Sequence, residues 1–441
     1  MAGMRIGNGK TVVRPCILYL NTVAGDRIQA TTLAGIRRYA EVRRWGAESI
    51  PWQASRPEDI PSLLAAHRPV AGCVIECSDG NSRLTPQLFG KVPTVYLHAA
   101  MSFCGGRVAR VAADNEAVAR AAFRELSAGR PAAYAAVGVL TDYPWSRERL
   151  DAFSALCAEA GKPCRVFDIP GEKPLARVSR LPGWIAGLQP HTAIFAANDF
   201  AAAEVANAAI TIPRSIPREL TLLGVDDNQE LCESMRPALS SIRIDHERAG
   251  FAAARMIGER ITARAERGMT PAADAANDAP LKARNSTNSS LRAWPASSLP
   301  AGRASSLEQA ECGCAIIGPL LAVRRRSTGG AGRREKFILE AVEIIRREAC
   351  DGLTASNLLS RFKCSRSLFN LRFREATGHS VLDEIQHVRL EKALALLSGT
   401  DTAIGAIADF CGFGSGVELR HLFRARMKMS LREWRKRNAS K

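Results

Sequence analysis

No stretch of the 441 residues approaches the roughly 20 consecutive apolar side chains that a helical membrane span needs. The apolar run Cys16–Leu20 is too short for the core of a secretory leader, and residues 1–15 before it are polar and basic. The expectation is a protein that stays in the cytoplasm and has no membrane partner. The twelve cysteines are scattered, and the closest pair, Cys312 and Cys314, has no matching pair at zinc-site spacing. Reduced thiols are therefore expected, with neither a metal centre nor a disulfide framework. The chain also lacks a phosphate-binding glycine loop and a nucleophile-and-base pair at motif spacing, which points away from an enzyme and from a bound cofactor.

What the chain has in excess is positive charge, +17 in all. From Arg324 to Lys441 there are 24 Lys and Arg against 13 Asp and Glu, so +11 of the surplus lies in the last quarter. A domain that meets phosphate backbones carries such a bias, and so does a merely solvated basic surface. The length suits two or three domains.

Residues 1–267 alternate short apolar runs with amphipathic stretches. Strands are expected at 16–21, 72–77, 92–98, 132–138, 164–169, 192–197, 220–226 and 239–245. Helical patterns lie at 28–39, 116–126, 147–160, 200–209 and 247–261. This alternation predicts α/β structure with parallel sheets, and the length predicts two lobes with a ligand cleft between them. Polar groups at strand C-termini are the cleft candidates, because open α/β sheets bind ligands there. They are Asp26 and Arg27 after the first strand, Arg149 on the helix at 147–160, Asn198 and Asp199 after 192–197, and Asp226 after 220–226. Carboxylates and guanidinium forks hold vicinal hydroxyls. The structural alternative is that Asp199 caps a helix and Asp226 closes a turn. Trp145 has two readings as well, stacking on a sugar face or core packing.

Residues 268–315 are rich in Ala, Ser, Pro, Asn and Arg and show no period, so 268–332 reads as a linker or disordered insert. A low-complexity insertion and a local reading-frame change both account for it.

Residues 333–441 read as helical, with two similar modules about fifty residues apart. In the first, Ser365 caps a helix at 366–377 whose Phe369 and Phe373 face inward. Arg366, Ser367, Asn370, Leu371 and Arg374 are then left for the outer face. In the second, Ser415 caps a helix at 416–427 with Leu419, Leu422 and Phe423 inward, and Val417, Arg420, His421 and Arg424 outside. Such helices fit the major groove of double-stranded DNA, with N-terminal amides and hydroxyls available to phosphate. The apolar stripe at 381–397 predicts a connecting helix that sets their spacing, about one turn of DNA or roughly 34 Å.

The runs RLEKALALL at 389–397, IGAIADFCGF at 404–413 and LRHLFR at 419–424, ending at Trp434 and Arg435, resemble the AraC/XylS type of DNA-binding domain. The likeness places base-facing positions on Ser367, Asn370, Leu371, Val417, Arg420 and His421. Lys428 stands where that family usually has glycine and Leu431 where it usually has proline. The N-terminal part resembles the LacI/GalR type of effector domain, itself similar to periplasmic sugar-binding proteins. That likeness rests on DN at 114–115, SRERLDAF at 146–153, AANDF at 196–200 and LGVDD at 223–227. The order of the two parts, with VRRRST at 323–328 between them, is similar to regulators of xylose operons. The resemblance implies an α/β two-lobed periplasmic-binding-protein-like domain followed by an all-α double helix-turn-helix domain. It implies a homodimeric transcription activator that answers a small xylose-like sugar, binds double-stranded DNA and contacts RNA polymerase. The rival classes are a sugar receptor for transport and a sugar-processing enzyme with a helical accessory domain.

Overall fold

The computed structural model describes residues 14–21, 27–77, 83–98, 109–139, 143–168, 174–212, 214–266, 314–329, 336–400 and 402–438. The chain opens with β1 (Cys16–Leu20), α1 (Arg27–Val42), β2 (Gly46–Ile50), α2 (Ile60–Ala66), β3 (Val70–Glu76), β4 (Thr94–Leu97) and β5 (Ala109–Ala113). It continues through α3 (Asn115–Ser127), β6 (Ala133–Val137), α4 (Pro144–Glu159), β7 (Cys164–Phe167), α5 (Pro174–Ala186) and β8 (Thr192–Ala196). Then come α6 (Asp199–Ile210), β9 (Leu220–Val225), α7 (Gln229–Ser234), β10 (Ser240–Ile244) and α8 (His246–Glu266). The last two strands are β11 (Cys314–Ile317) and β12 (Pro319–Val323).

These strands form two six-stranded sheets, ordered β11-β5-β4-β3-β1-β2 and β12-β10-β9-β8-β6-β7. The first is parallel throughout, and in the second only β12 runs antiparallel to its neighbour. The central strands are apolar on both faces, as strands covered by helices on both sides must be. Each sheet with its helices is one lobe. The chain crosses between lobes three times, from β5 to α3, from β10 to α8 and from β11 through Gly318 to β12. In the first lobe α1 and α8 touch backbone to backbone. A Cβ on Gly35 would lie 1.8 Å from the Glu247 carbonyl oxygen, and one on Gly250 would lie 2.0 Å from that of Thr32.

The eight expected strands and five expected helices are present. The expectation of a linker over 268–332 needs correction. Residues 314–323 are strands of both sheets, Cys314 pairing with Arg110 and Val323 with Ser241. Each strand has only four or five residues, and its partner lies far back in the chain, so no local period announces it. Most of 268–313 lies outside the described residues.

The C-terminal part consists of α9 (Lys336–Glu348), α10 (Ala355–Leu359), α11 (Arg366–Thr377), α12 (Val381–Gly399), α13 (Ile404–Phe410), α14 (Gly416–Met427) and α15 (Leu431–Asn438). The two modules repeat at an offset of fifty residues. Ser365 and Ser415 cap α11 and α14, Phe369 and Leu419 are buried next, and Phe373 and Phe423 are buried a turn later. Helix α12 is the spine. Its Ile385 and Val388 enter the first module's core, its Leu390, Ala393, Leu394 and Leu397 enter the second's, and its Ala395 enters the core of the first lobe. A helix apolar on so many sides must be enclosed by neighbours.

Candidate effector cleft and nucleic-acid interface

The strand ends at the crossings carry a cluster of polar groups. Arg149 on α4 is buried: its Nε donates to Asn115 Oδ1 at 2.9 Å and an Nη donates to the Ala197 carbonyl at 2.6 Å. The same Nη lies 3.9 Å from Asp226 Oδ1, and the guanidinium sits 4.7 Å over the Trp145 ring. Trp145 in turn stacks on Tyr143, so its face supports Arg149. From the first lobe, Tyr19 donates to Glu76 at 2.8 Å, and His98 Nε2 lies 3.7 Å from the other Glu76 oxygen. His98 meets His246, the first residue of α8, edge to face at 5.9 Å.

Burial lowers the His98 imidazole to about 4, with Arg149 adding to the effect. Burial lowers His246 to about 3, with His98 and Arg149 adding. Both rings are neutral at neutral pH, so each offers one donor and one acceptor. Neither ring nitrogen of His246 has a hydrogen-bond partner among the described residues. The backbone is strained here as well. His98 has φ +60°, Asp226 φ +99° and Asp227 φ +53°, and such left-handed non-glycine residues collect at ligand sites.

The cleft candidates divide. Arg149 and Asp226 come together between the lobes. Asp199 turns into the second lobe, where its Oδ2 accepts from the Asn228 amide at 2.7 Å and its Oδ1 from Ser241 Oγ at 2.6 Å. Burial, and then Asp226, push its carboxyl up to about 8. Asn198 caps α6 by accepting from the Ala201 amide at 2.8 Å. The side-chain oxygens of Asn198 and Asp199 are thus engaged in capping α6 and holding strand ends together. Asp227, its side chain wholly buried, is clamped by Arg243 and by Arg325 at 2.7 Å each. Asp26 lies outside the described residues, as does the Arg27 side chain at the start of α1. Among the described residues no group of three His, Cys, Asp or Glu is placed to hold a metal, and no helix is long and apolar enough to cross a membrane.

In the C-terminal part, Ser365 Oγ accepts from the Leu368 amide at 3.3 Å and Ser415 Oγ from the Glu418 amide at 3.2 Å. Each helix buries one stripe, Phe369 and Phe373 on α11 and Leu419, Phe423 and Met427 on α14, and the opposite face is open. Arg366, Ser367, Asn370, Leu371 and Arg374 on α11 are all exposed, as are Val417, Arg420, His421 and Arg424 on α14. A surface hollow lined by Arg366, Asn370, Leu371, Arg374 and Leu382 flanks α11.

The chain matches two family models, a periplasmic binding protein-like domain over residues 107–287 and a helix-turn-helix domain over 358–437. It is 25% identical over 335 residues to the Xylose operon regulatory protein of Escherichia coli (strain K12), which spans 75% of this chain and 74% of that protein. The protein of the same name from Haemophilus influenzae is 24% identical over 331 residues, 74% of each. Among solved structures, that of the xylose-binding transcription activator xylR aligns with 96% of this chain and 98% of its own, at 23% identity and a TM-score of 0.48. The transcriptional regulator CelR in complex with cellobiose shares the fold, at 17% identity and a TM-score of 0.50, over 72% of this chain and 86% of its own.

The chain is a DNA-binding transcription regulator. It joins a periplasmic-binding-protein-like part to a helix-turn-helix part, and the relatives it matches are regulatory proteins. The regulator's two departures from the family pattern are absorbed locally. Lys428 closes α14 at φ +55°, the left-handed cap that Gly378 supplies to α11 at φ +79°. Leu431 opens α15 without proline and is buried. Sequence reasoning missed Glu76, His98 and His246 in the cleft. Each stands at the C-terminal end of an expected strand or just beyond it, so the strand-end rule applied to every strand would have found them.

Proposed function

We propose that this regulator is a homodimeric activator of sugar-catabolism genes in the cytoplasm, and that it senses D-xylose between its lobes. The observation that carries this reading is that Arg149 and Asp226 of one lobe lie close enough to act electrostatically on the neutral, buried His98 of the other, and Arg149 on its neighbour His246. A fork, a carboxylate and two imidazoles that each donate and accept make a complementary lining for the hydroxyls of a pentose. The names of the curated relatives support the choice of sugar. Asp26 and Arg27 complete the set of contacts in this reading. The sugar favours lobe closure by its higher affinity for the closed arrangement. The reader then places α11 and α14 in successive major grooves, about 34 Å apart, where a promoter-bound dimer contacts RNA polymerase. The natural division in this reading is an effector part at 1–267 completed by 314–328, an insert between them, and a reader from 333 to 441.

The test is thermal unfolding with D-xylose, L-arabinose, D-ribose and D-glucose. At a hundred times its dissociation constant the true effector stabilises by about 2.7 kcal/mol, a shift of several degrees. D-xylose is expected to give the largest shift and Asp226→Ala to abolish it. No shift with any of the four sugars defeats the reading.

A further inference from the structure

The reader is docked on both lobes beside the crossing from β10 to α8. On the first lobe, Arg38 of α1 donates to Glu391 of α12 at 3.1 Å, and Arg43 donates to the Ser398 carbonyl at 2.9 Å. Arg248 of α8 approaches the other Glu391 oxygen at 3.4 Å. On the second lobe, Leu320, Leu321 and Val323 of β12 share the first module's core with Ile338 and Val342 of α9. Any change in the angle between the lobes therefore acts on two attachment points of the reader.

The two attachments meet at a tripeptide. Asp245, His246 and Glu247 form the crossing from β10 to α8. The flanking carboxylates face the reader. Arg346 of α9 is ion-paired to Asp245 and donates to Glu247 at 3.1 Å. Arg38 also reaches Glu247, at 3.6 Å. The Arg346 side chain is 15% exposed and that of Asp245 6%, so these charges are paired away from water. Breaking such a pair leaves an uncompensated buried charge. The residue between the two carboxylates, His246, points the other way, onto His98 in the cleft.

We infer that Arg346 is a positioning residue which reads the state of the effector cleft through the Asp245–Glu247 crossing and sets the reader accordingly. This rests on the proposed effector reading for its physiological trigger, but the linkage itself is a property of the crossing. A ligand that moves His246 moves both carboxylates, because each belongs to a residue bonded directly to it in the chain. The Arg346 fork holds both, so the displacement passes directly to α9. Coupling between sites needs a shared element that both bias, and this crossing is one.

The test uses the full-length chain and a duplex that it selects from a random pool. Duplex affinity is measured for His246→Asn in the wild-type background and again with Arg346→Met. The expected result is a shift of about fivefold or more with Arg346 present, falling to within about twofold in its absence. Equal shifts in the two backgrounds, or no shift with Arg346 present, overturn the inference. Arg346→Lys, which keeps the charge and loses the fork, is measured in parallel and is expected to lose at least about half of the coupling on a logarithmic scale. It keeps the test decisive should the methionine variant fail to fold, and a Lys variant with unchanged coupling counts against the inference. D-xylose is then titrated separately. Failure of the sugar to change duplex affinity in the wild-type protein counts against the effector reading, whereas the substitution cycle decides the linkage without any sugar.

Discussion

Replacing Arg389 with methionine probes what holds the two DNA-reading modules in register. Arg389 lies on the spine helix α12 and is buried. Its Nε donates to the Ala349 carbonyl and an Nη to the Leu353 carbonyl, both at 2.8 Å. These carbonyls follow the end of α9, in the first module. The guanidinium also lies 5.9 Å from the ring of Phe413, which sits in the turn of the second module. One side chain thus ties the spine to both modules. Methionine keeps the length of the stem and removes the head. Two charge-assisted hydrogen bonds are lost, and two carbonyls in a dry interior are left without partners. At about 1.5–3 kcal/mol for each charged hydrogen bond, the expected destabilisation of the reader is about 3–6 kcal/mol. Hydrogen exchange on the full-length chain reads this directly, as lost protection of amides in α9 and α12. Duplex affinity is expected to fall too, since the recognition helices would no longer share a fixed frame. Arg389→Lys restores less than half, because an ammonium cannot reach both carbonyls in the fork geometry. Protection in the methionine variant within about 0.5 kcal/mol of wild type would falsify this account of the spine.

Lys428→Gly is expected to stabilise the reader by about 1 kcal/mol, because it relieves a left-handed cap that Gly378 adopts without strain; unchanged or lower stability in chemical denaturation refutes that. Asn370→Ala and Arg420→Ala should each cost about 1–3 kcal/mol on a selected duplex and little on random DNA. Arg424→Ala should weaken both equally and flatten the salt dependence, and equal losses on both duplexes for all three variants would contradict the assignment of the outer faces. The pH dependence follows from His98 and His246, lowered to about 4 and about 3. Below about 6.5 the unfolded chain binds protons that the folded cleft refuses, so stability is expected to fall as pH drops from 6.5 towards 4, by at most about 1.4 kcal/mol per pH unit for each ring. The double variant His98→Gln with His246→Gln should lose that acid slope; retention of the full slope assigns it to other groups.

Much of the fold was legible because its signals are local. Strands β1, β3, β6, β8 and β9 are apolar runs with helical patterns after most of them, and both recognition helices carry a serine cap with aromatic or leucine residues at helical spacing. Strands β2 and β5 escaped because β2 is a half-exposed edge strand and β5 is built largely of alanine, so neither has the alternation or bulk that marks a strand. Among the cleft candidates, Asp226 was legible from its place at a strand end and Arg149 from its helix, which follows a strand-end loop. The part played by Asp199 was not, since its two acceptors are satisfied by Asn228 and Ser241, which only folding brings near.

The amino-acid order by itself determined that an α/β effector part precedes a basic, doubled helical reader, because period, capping and charge bias are properties of neighbouring residues. Only the tertiary structure decided that β11 and β12 complete the two sheets, that His98 faces His246, and that Arg346 grips Asp245 and Glu247. Those pairings join residues about 75 or more positions apart. A buried charge or an edge strand takes whichever partner the fold delivers, and nothing in its own neighbourhood of sequence names that partner.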